Sequence, residues 1–146
     1  MNKKLRRVAV VLSGACLVIG VGASASATDK NVGTKACDAG WDFALRYKSN
    51  QQGAYRYFGY SEGNFDRGAS YLGPFRYCDD TRAPYKSGSG KPVKNNAASA
   101  RNKSGTYKAT VYFNSWWKGA SDTLRPNTSR NLNNTYNQNA SFKWHS

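Results

Sequence analysis

The spacing of apolar and polar positions speaks for strands. Beyond an N-terminal apolar run at residues 8–21, no stretch of about twelve residues places apolar side chains at i, i+3, i+4 and i+7, so amphipathic helices are not expected. Four short segments instead are largely alternating and rich in aromatic or β-branched residues: 43–47, 54–58, 107–113 and 140–144. Gly, Asn, Pro and Ser cluster between them. From 79 to 94 the composition turns to Gly, Ser, Pro, Lys and Arg, which predicts a loop or connector between two halves. An all-β chain with two sub-units follows.

The halves can be laid on each other. Residues 45–53 (Leu-Arg-Tyr-Lys-Ser-Asn-Gln-Gln-Gly) align without gaps on 111–119 (Val-Tyr-Phe-Asn-Ser-Trp-Trp-Lys-Gly), 66 positions later, and 95–100 align on 137–142, 42 positions later. The first half must therefore carry about 24 extra residues, and the expected insertion spans about 62–93, including Cys78. Two such units bury their aromatic faces against each other and build a core that neither could build alone.

Composition adds a compartment and a charge. The chain has 146 residues, 22 Lys+Arg against 8 Asp+Glu and a formal charge of +14. Residues 1–27 have a basic start (Lys3, Lys4, Arg6, Arg7), the apolar run and a small-residue series ending at Ala27, the pattern of a secretory signal peptide. The apolar run is about 14 residues, short of the roughly 20 that span a bilayer, so a secreted, extracellular protein is expected and not an integral membrane one. Residues 28–36 read as a flexible mature N-terminus, 37–146 as a single domain. That exported form keeps 18 basic and 8 acidic side chains, or +10. Residues 28–80 hold seven basic and seven acidic side chains, whereas 81–146 hold eleven basic ones and only Asp122, so the second half should attract anionic polymers. In an oxidising compartment the remaining Cys37 and Cys78 read as a disulfide, worth about 4 kcal/mol on the chain-entropy model. With a single histidine, His145, metal triads and Ser-His or Cys-His catalysis cannot be built, and no enzyme is expected.

Tyr112-x-x-x-x-Trp117-x-Gly119 resembles the aromatic-x-x-x-x-aromatic-x-Gly signature of βγ-crystallin Greek keys, with Gly53 in the matching place of the first half. Asn95-Asn96-Ala97-Ala98-Ser99 and Asn137-Gln138-Asn139-Ala140-Ser141 approach the [Asn/Asp]-[Asn/Asp]-x-x-[Ser/Thr]-Ser motif that ends each key there; both lack the last Ser. With the export signal and the leading cysteine, the chain is similar to the secreted bacterial βγ-crystallin-like family that includes small metalloproteinase inhibitors. The resemblance implies a β-sandwich of two Greek keys, at about 37–102 and 103–146. It also implies that Asn95, Asn96, Ser99, Asn137, Gln138 and Ser141 are calcium candidates. Their donors are uncharged and the surroundings positive, so only weak affinity is expected, with turn formation as the competing use. The signature assigns Trp117 to the core and leaves Trp116, beside Lys118, as an exposed aromatic suited to a partner.

Three functions follow as expectations. The resemblance implies inhibition of an extracellular protease, a metalloprotease above all, by a rigid loop that no residue identifies. The charge implies a basic binding or antimicrobial module, attached to anionic wall or membrane polymers through Lys86, Lys91, Lys94, Arg101, Lys103, Lys108, Lys118, Arg125 and Arg130. The terminal motifs imply a calcium-stabilised structural protein. No cofactor is required by any of them, and a monomer is expected.

Overall fold

The computed structural model describes residue 31 and residues 36–66, 73–79 and 85–146. The signal-peptide segment lies outside the described residues. Seven strands follow in order: β1 (Phe43–Arg46), β2 (Tyr55–Phe58), β3 (Ser99–Asn102), β4 (Lys108–Asn114), β5 (Lys118–Leu124), β6 (Thr128–Asn131) and β7 (Ser141–His145). They form two antiparallel sheets, one ordered β2-β1-β3-β6 and the other β5-β4-β7. The two halves exchange a segment. β6, from the second half, pairs with β3 in the first sheet, while Glu62, from the first half, bridges Phe142 of β7 in the second. This is an all-β sandwich of two interlocked Greek keys.

The repeat is present in the backbone. Asn50, Gln51 and Gly53 have φ of 57°, 59° and 76°, and their counterparts Trp116, Trp117 and Gly119 have 62°, 61° and 81°. Asn95 and Asn137 match in the same way, at 59° and 52°. Ala98 N donates to Arg46 O at 2.9 Å and Ala140 N to Tyr112 O at 2.9 Å. Across the seam, Asn95 N donates to Asn139 O and Asn137 N to Ala97 O, at 2.8 and 2.9 Å. Gly119 is required twice over: its φ is left-handed, and a Cβ there would stand 2.8 Å from Asn114 Nδ2.

The four expected strands appear within a residue of their predicted ends; β3, β5 and β6 were not signalled. β6 reads Thr-Ser-Arg-Asn with every residue exposed, so it carries no apolar alternation. β3 (Ser-Ala-Arg-Asn) fills its core side with Ala100 and Asn102, which lack a strand signature.

Three boundaries need correction. The expected insertion began at Glu62, but Phe65 N donates to Ala140 O as Leu132 N donates to Ala98 O, so 62–65 belong to the key and the extra residues follow Phe65. The stretch expected to connect the halves folds back onto the first: Ser87 O accepts Ala54 N, Gly90 N donates to Tyr77 O, and Val93 is fully buried. Finally, Asn31 and Ala36, expected in a flexible leader, are 2% and 1% exposed. Asn31 Oδ1 accepts the Gly59 and Tyr60 amides, each at 3.0 Å.

Aromatic rings fill the space between the sheets. Phe142 of β7 stacks on Phe43 of β1 with centroids 4.1 Å apart, and Phe58, Phe65, Phe75, Val111 and Leu124 close around them. The outward face of the first sheet is covered in part. Residues 36–40 run over it, held by the Cys37–Cys78 disulfide and by Tyr55 Oη–H donating to Cys37 O. Tyr57 is only 6% exposed although strand alternation turns it away from the core.

Candidate functional site

The outward face of the second sheet collects positive charge. Val111 and Phe142 point into the core, so alternation turns Lys108, Thr110 and Tyr112 of β4, Ser121 and Thr123 of β5, and Lys143 and His145 of β7 to the other side. The one carboxylate of these strands, Asp122, points inward. Its Oδ2 accepts the Asn133 and Thr135 amides and the Thr135 hydroxyl at 2.8–3.0 Å, and Oδ1 lies 3.5 Å from Arg130. Every titratable group on the outward face except Tyr112 is therefore basic. His145 registers that field: partial burial first, then Lys143 and Lys108, hold its pKa below the ordinary histidine value. At pH 7 it is neutral, with Nε2 3.2 Å from the Tyr112 hydroxyl.

The β4–β5 hairpin carries exposed aromatics at one end of this sheet. Phe113, Trp116 and Trp117 are 38%, 54% and 39% exposed. Trp116 is exposed as expected, with its ring flat against Gly63, where a Cβ would meet it at 2.6 Å. Trp117 is not in the core. Residues 115–117 form a turn and both tryptophans are left-handed, so strand alternation does not apply to them. Instead the Trp117 indole N–H donates to Phe142 O at 3.1 Å and Lys143 Nζ sits 5.0 Å from the ring centroid. Lys118 is exposed next to it.

Two of the calcium candidates, Ser99 and Ser141, are committed to the fold. Ser99 Oγ donates to Lys48 O at 2.7 Å and accepts Gln51 N at 3.2 Å. Ser141 Oγ repeats this, donating to Asn114 O at 2.7 Å and accepting Trp117 N at 3.1 Å. Each hydroxyl thus latches the hairpin of its own key, and the residues after them, Ala100 and Phe142, offer no second hydroxyl. Asn96 Nδ2 returns to Lys94 O. Asn139, between the candidates, donates to Ala97 and Thr135 carbonyls and accepts Ala97 N. Asn137 and Asn96 line a cleft shared with Lys48, and Gln138 is exposed; no carboxylate lines that cleft. Such a donor set does not fit calcium, which wants six to eight oxygens with carboxylates among them. Millimolar calcium is therefore expected to move the melting temperature by less than about 1 °C. Ser99→Ala and Ser141→Ala should each cost about 1–3 kcal/mol in denaturant unfolding, by orphaning a buried amide and carbonyl. A calcium-dependent rise of several degrees would contradict the first, and two neutral substitutions the second.

The remaining basic residues do not form one lobe. Lys94 pairs with Asp66 and Arg130 with Asp122. Lys103 Nζ donates to Ala39 O and Lys86 lies over Tyr55, both on the first sheet's side. Lys143, absent from the expected set, faces outward from β7 opposite Thr110 of β4. The Glu62 carboxylate accepts Asn64 N and Asn31 Nδ2. Among the described residues no three His, Cys, Asp or Glu side chains cluster as metal ligands, and no helix is long and apolar enough to cross a membrane.

No family model and no curated protein matches this chain. Among solved structures it is similar to a domain from work on the evolution of the eye-lens βγ-crystallin domain fold, at 14% identity and TM-score 0.46 over 72% of this chain and 85% of that one. It is also similar to a βγ-crystallin domain from Flavobacterium johnsoniae, at 17% identity and TM-score 0.48 over 71% of this chain and 93% of that one. What fixes the Greek-key fold is this chain's own strand order and its paired hairpins.

Proposed function

We propose that this protein is a secreted binding module that attaches to anionic extracellular polymers through the outward face of its second sheet. The observation that carries the reading is the segregation of charge there: Lys108, Lys143 and His145 face outward, and the only acid of the three strands is buried and satisfied. The exposed Trp117, beside Lys143, gives this face apolar surface at one end, and clustered lysines hold counterions that a polyanion displaces on binding. A calcium-stabilised role would rest on uncharged donors, with the Ser99 and Ser141 hydroxyls already bonded to Lys48 O and Asn114 O. The protease-inhibitor reading has no described loop singled out for it.

The test is affinity for heparin, a soluble polyanion, as salt rises. Binding should weaken steeply between about 50 and 200 mM NaCl, by tenfold or more if three or four ionic contacts form. Lys108→Gln with Lys143→Gln should shed about two of them and flatten the salt dependence accordingly. Lowering pH through the histidine titration protonates His145 and should tighten binding. Affinity indifferent to salt, or saturable inhibition of a thermolysin-type metalloprotease with no heparin binding, would overturn the proposal.

A further inference from the structure

A second site lies where the two keys meet, away from the cationic face. Trp41, just before β1, Tyr107, between β3 and β4, and Trp144 of β7 converge on a cleft of about 310 Å³, closed by Asp42, Ser104 and the backbone of Gly59. The rings are held in place before any ligand arrives. Trp41 lies flat on Gly59, where a Cβ would stand 2.7 Å from its Cδ1, so only glycine admits the indole. The Trp144 indole N–H donates to the same residue's carbonyl at 3.1 Å, and its ring packs edge-on against Phe43 and Phe142. Ser104 Oγ accepts the Thr106 and Tyr107 amides at 3.2 and 3.0 Å, which fixes the loop carrying Tyr107. Tyr107 itself is half exposed, 6.3 Å from Trp144 and tilted by 59°.

Asp42 supplies the polar counterpart. It is exposed, and among the described residues its carboxylate has no hydrogen-bond or ion-pair partner. The nearby Lys103 is turned elsewhere, its Nζ on Ala39 O and over the Tyr57 ring. A lone acceptor beside preorganised aromatic rings matches a molecule with an apolar C–H face and hydroxyl donors at its rim.

We infer that this cleft binds a neutral pyranose unit of an oligosaccharide, its C–H face on the aromatic rings and its hydroxyls donating to Asp42. An anionic sugar would meet the carboxylate, and a quaternary ammonium, the other ligand of aromatic cages, would approach a strongly positive molecule. The inference is independent of the polyanion reading, and 0.5 M NaCl silences the one without disturbing the other.

The experiment titrates the disulfide-bonded protein in 0.5 M NaCl with cellohexaose, maltohexaose and the hexamer of N-acetylglucosamine, read by tryptophan fluorescence and calorimetry, with choline as the cationic control. At least one sugar should give a saturable response below about 10 mM. Trp41→Ala should abolish it, and Asp42→Asn, an exposed change that leaves the core untouched, should weaken it about tenfold. Trp116→Ala, on the other hairpin, should leave it unchanged. No saturable response to any sugar, a response to choline alone, or full binding by Asp42→Asn would overturn the inference.

Discussion

Phe142→Ala is expected to lower the unfolding free energy by about 3–5 kcal/mol, the largest effect of any single substitution considered for this chain. Its ring is fully buried, stacks on Phe43 across the sandwich, and meets Phe58 at 5.9 Å and Trp144 at 5.2 Å. The residue also joins the keys through its backbone, exchanging amide and carbonyl with Glu62 at 2.8 and 2.9 Å. A cavity there cannot collapse easily, because both sheets are fixed by their own ladders. Urea unfolding monitored by tryptophan fluorescence checks it. A loss below about 1.5 kcal/mol would mean that the two sheets do not share this core.

Breaking the Cys37–Cys78 bond is expected to cost about 4 kcal/mol, which the loop of 41 residues it closes predicts on the chain-entropy model. The structure adds a local consequence. The bond anchors residues 36–40 over the first sheet, and Cys78 N also donates to Tyr55 O on β2. Reduction should therefore expose Tyr57 and loosen β2 before the second sheet responds. The Cys37→Ala, Cys78→Ala double variant should melt far below the parent, and hydrogen exchange should rise at residues 55–58 while residues 108–114 stay protected. Equal melting temperatures with and without reductant would contradict both the stabilisation and the anchoring role.

The fold was legible where aromatic alternation marked it. β1, β2, β4 and β7 carry the core rings and announce themselves, and the hairpin repeat could be aligned because Gly53 and Gly119 punctuate both copies. β6 could not be found in this way. It is polar throughout and is a strand only because β3 offers it a ladder, which is a property of the pairing and not of its own residues. The same limit applied to Ser99 and Ser141. Motif matching offered them as metal ligands, whereas their hydroxyls face a carbonyl and an amide of a hairpin distant in sequence, and nothing local encodes that contact. Charge counting gave the sign of the second half but not its surface, since Lys94, Lys103 and Arg130 are drawn to partners that only folding provides. The aromatic cleft left no sequence signal. Trp41 and Trp144 lie at opposite ends of the domain, and the glycine that seats both, Gly59, is one of 14 in the chain.

Amide chemical-shift mapping during a heparin titration of residues 28–146 at low salt tests whether the outward face of the second sheet carries the binding. The largest shifts should cluster at Lys108, Tyr112, Trp117, Lys143 and His145, fade together as NaCl is added, and leave β1 and β2 unmoved. Shifts centred on Lys86, Arg101 and Lys103, over the first sheet, would contradict it.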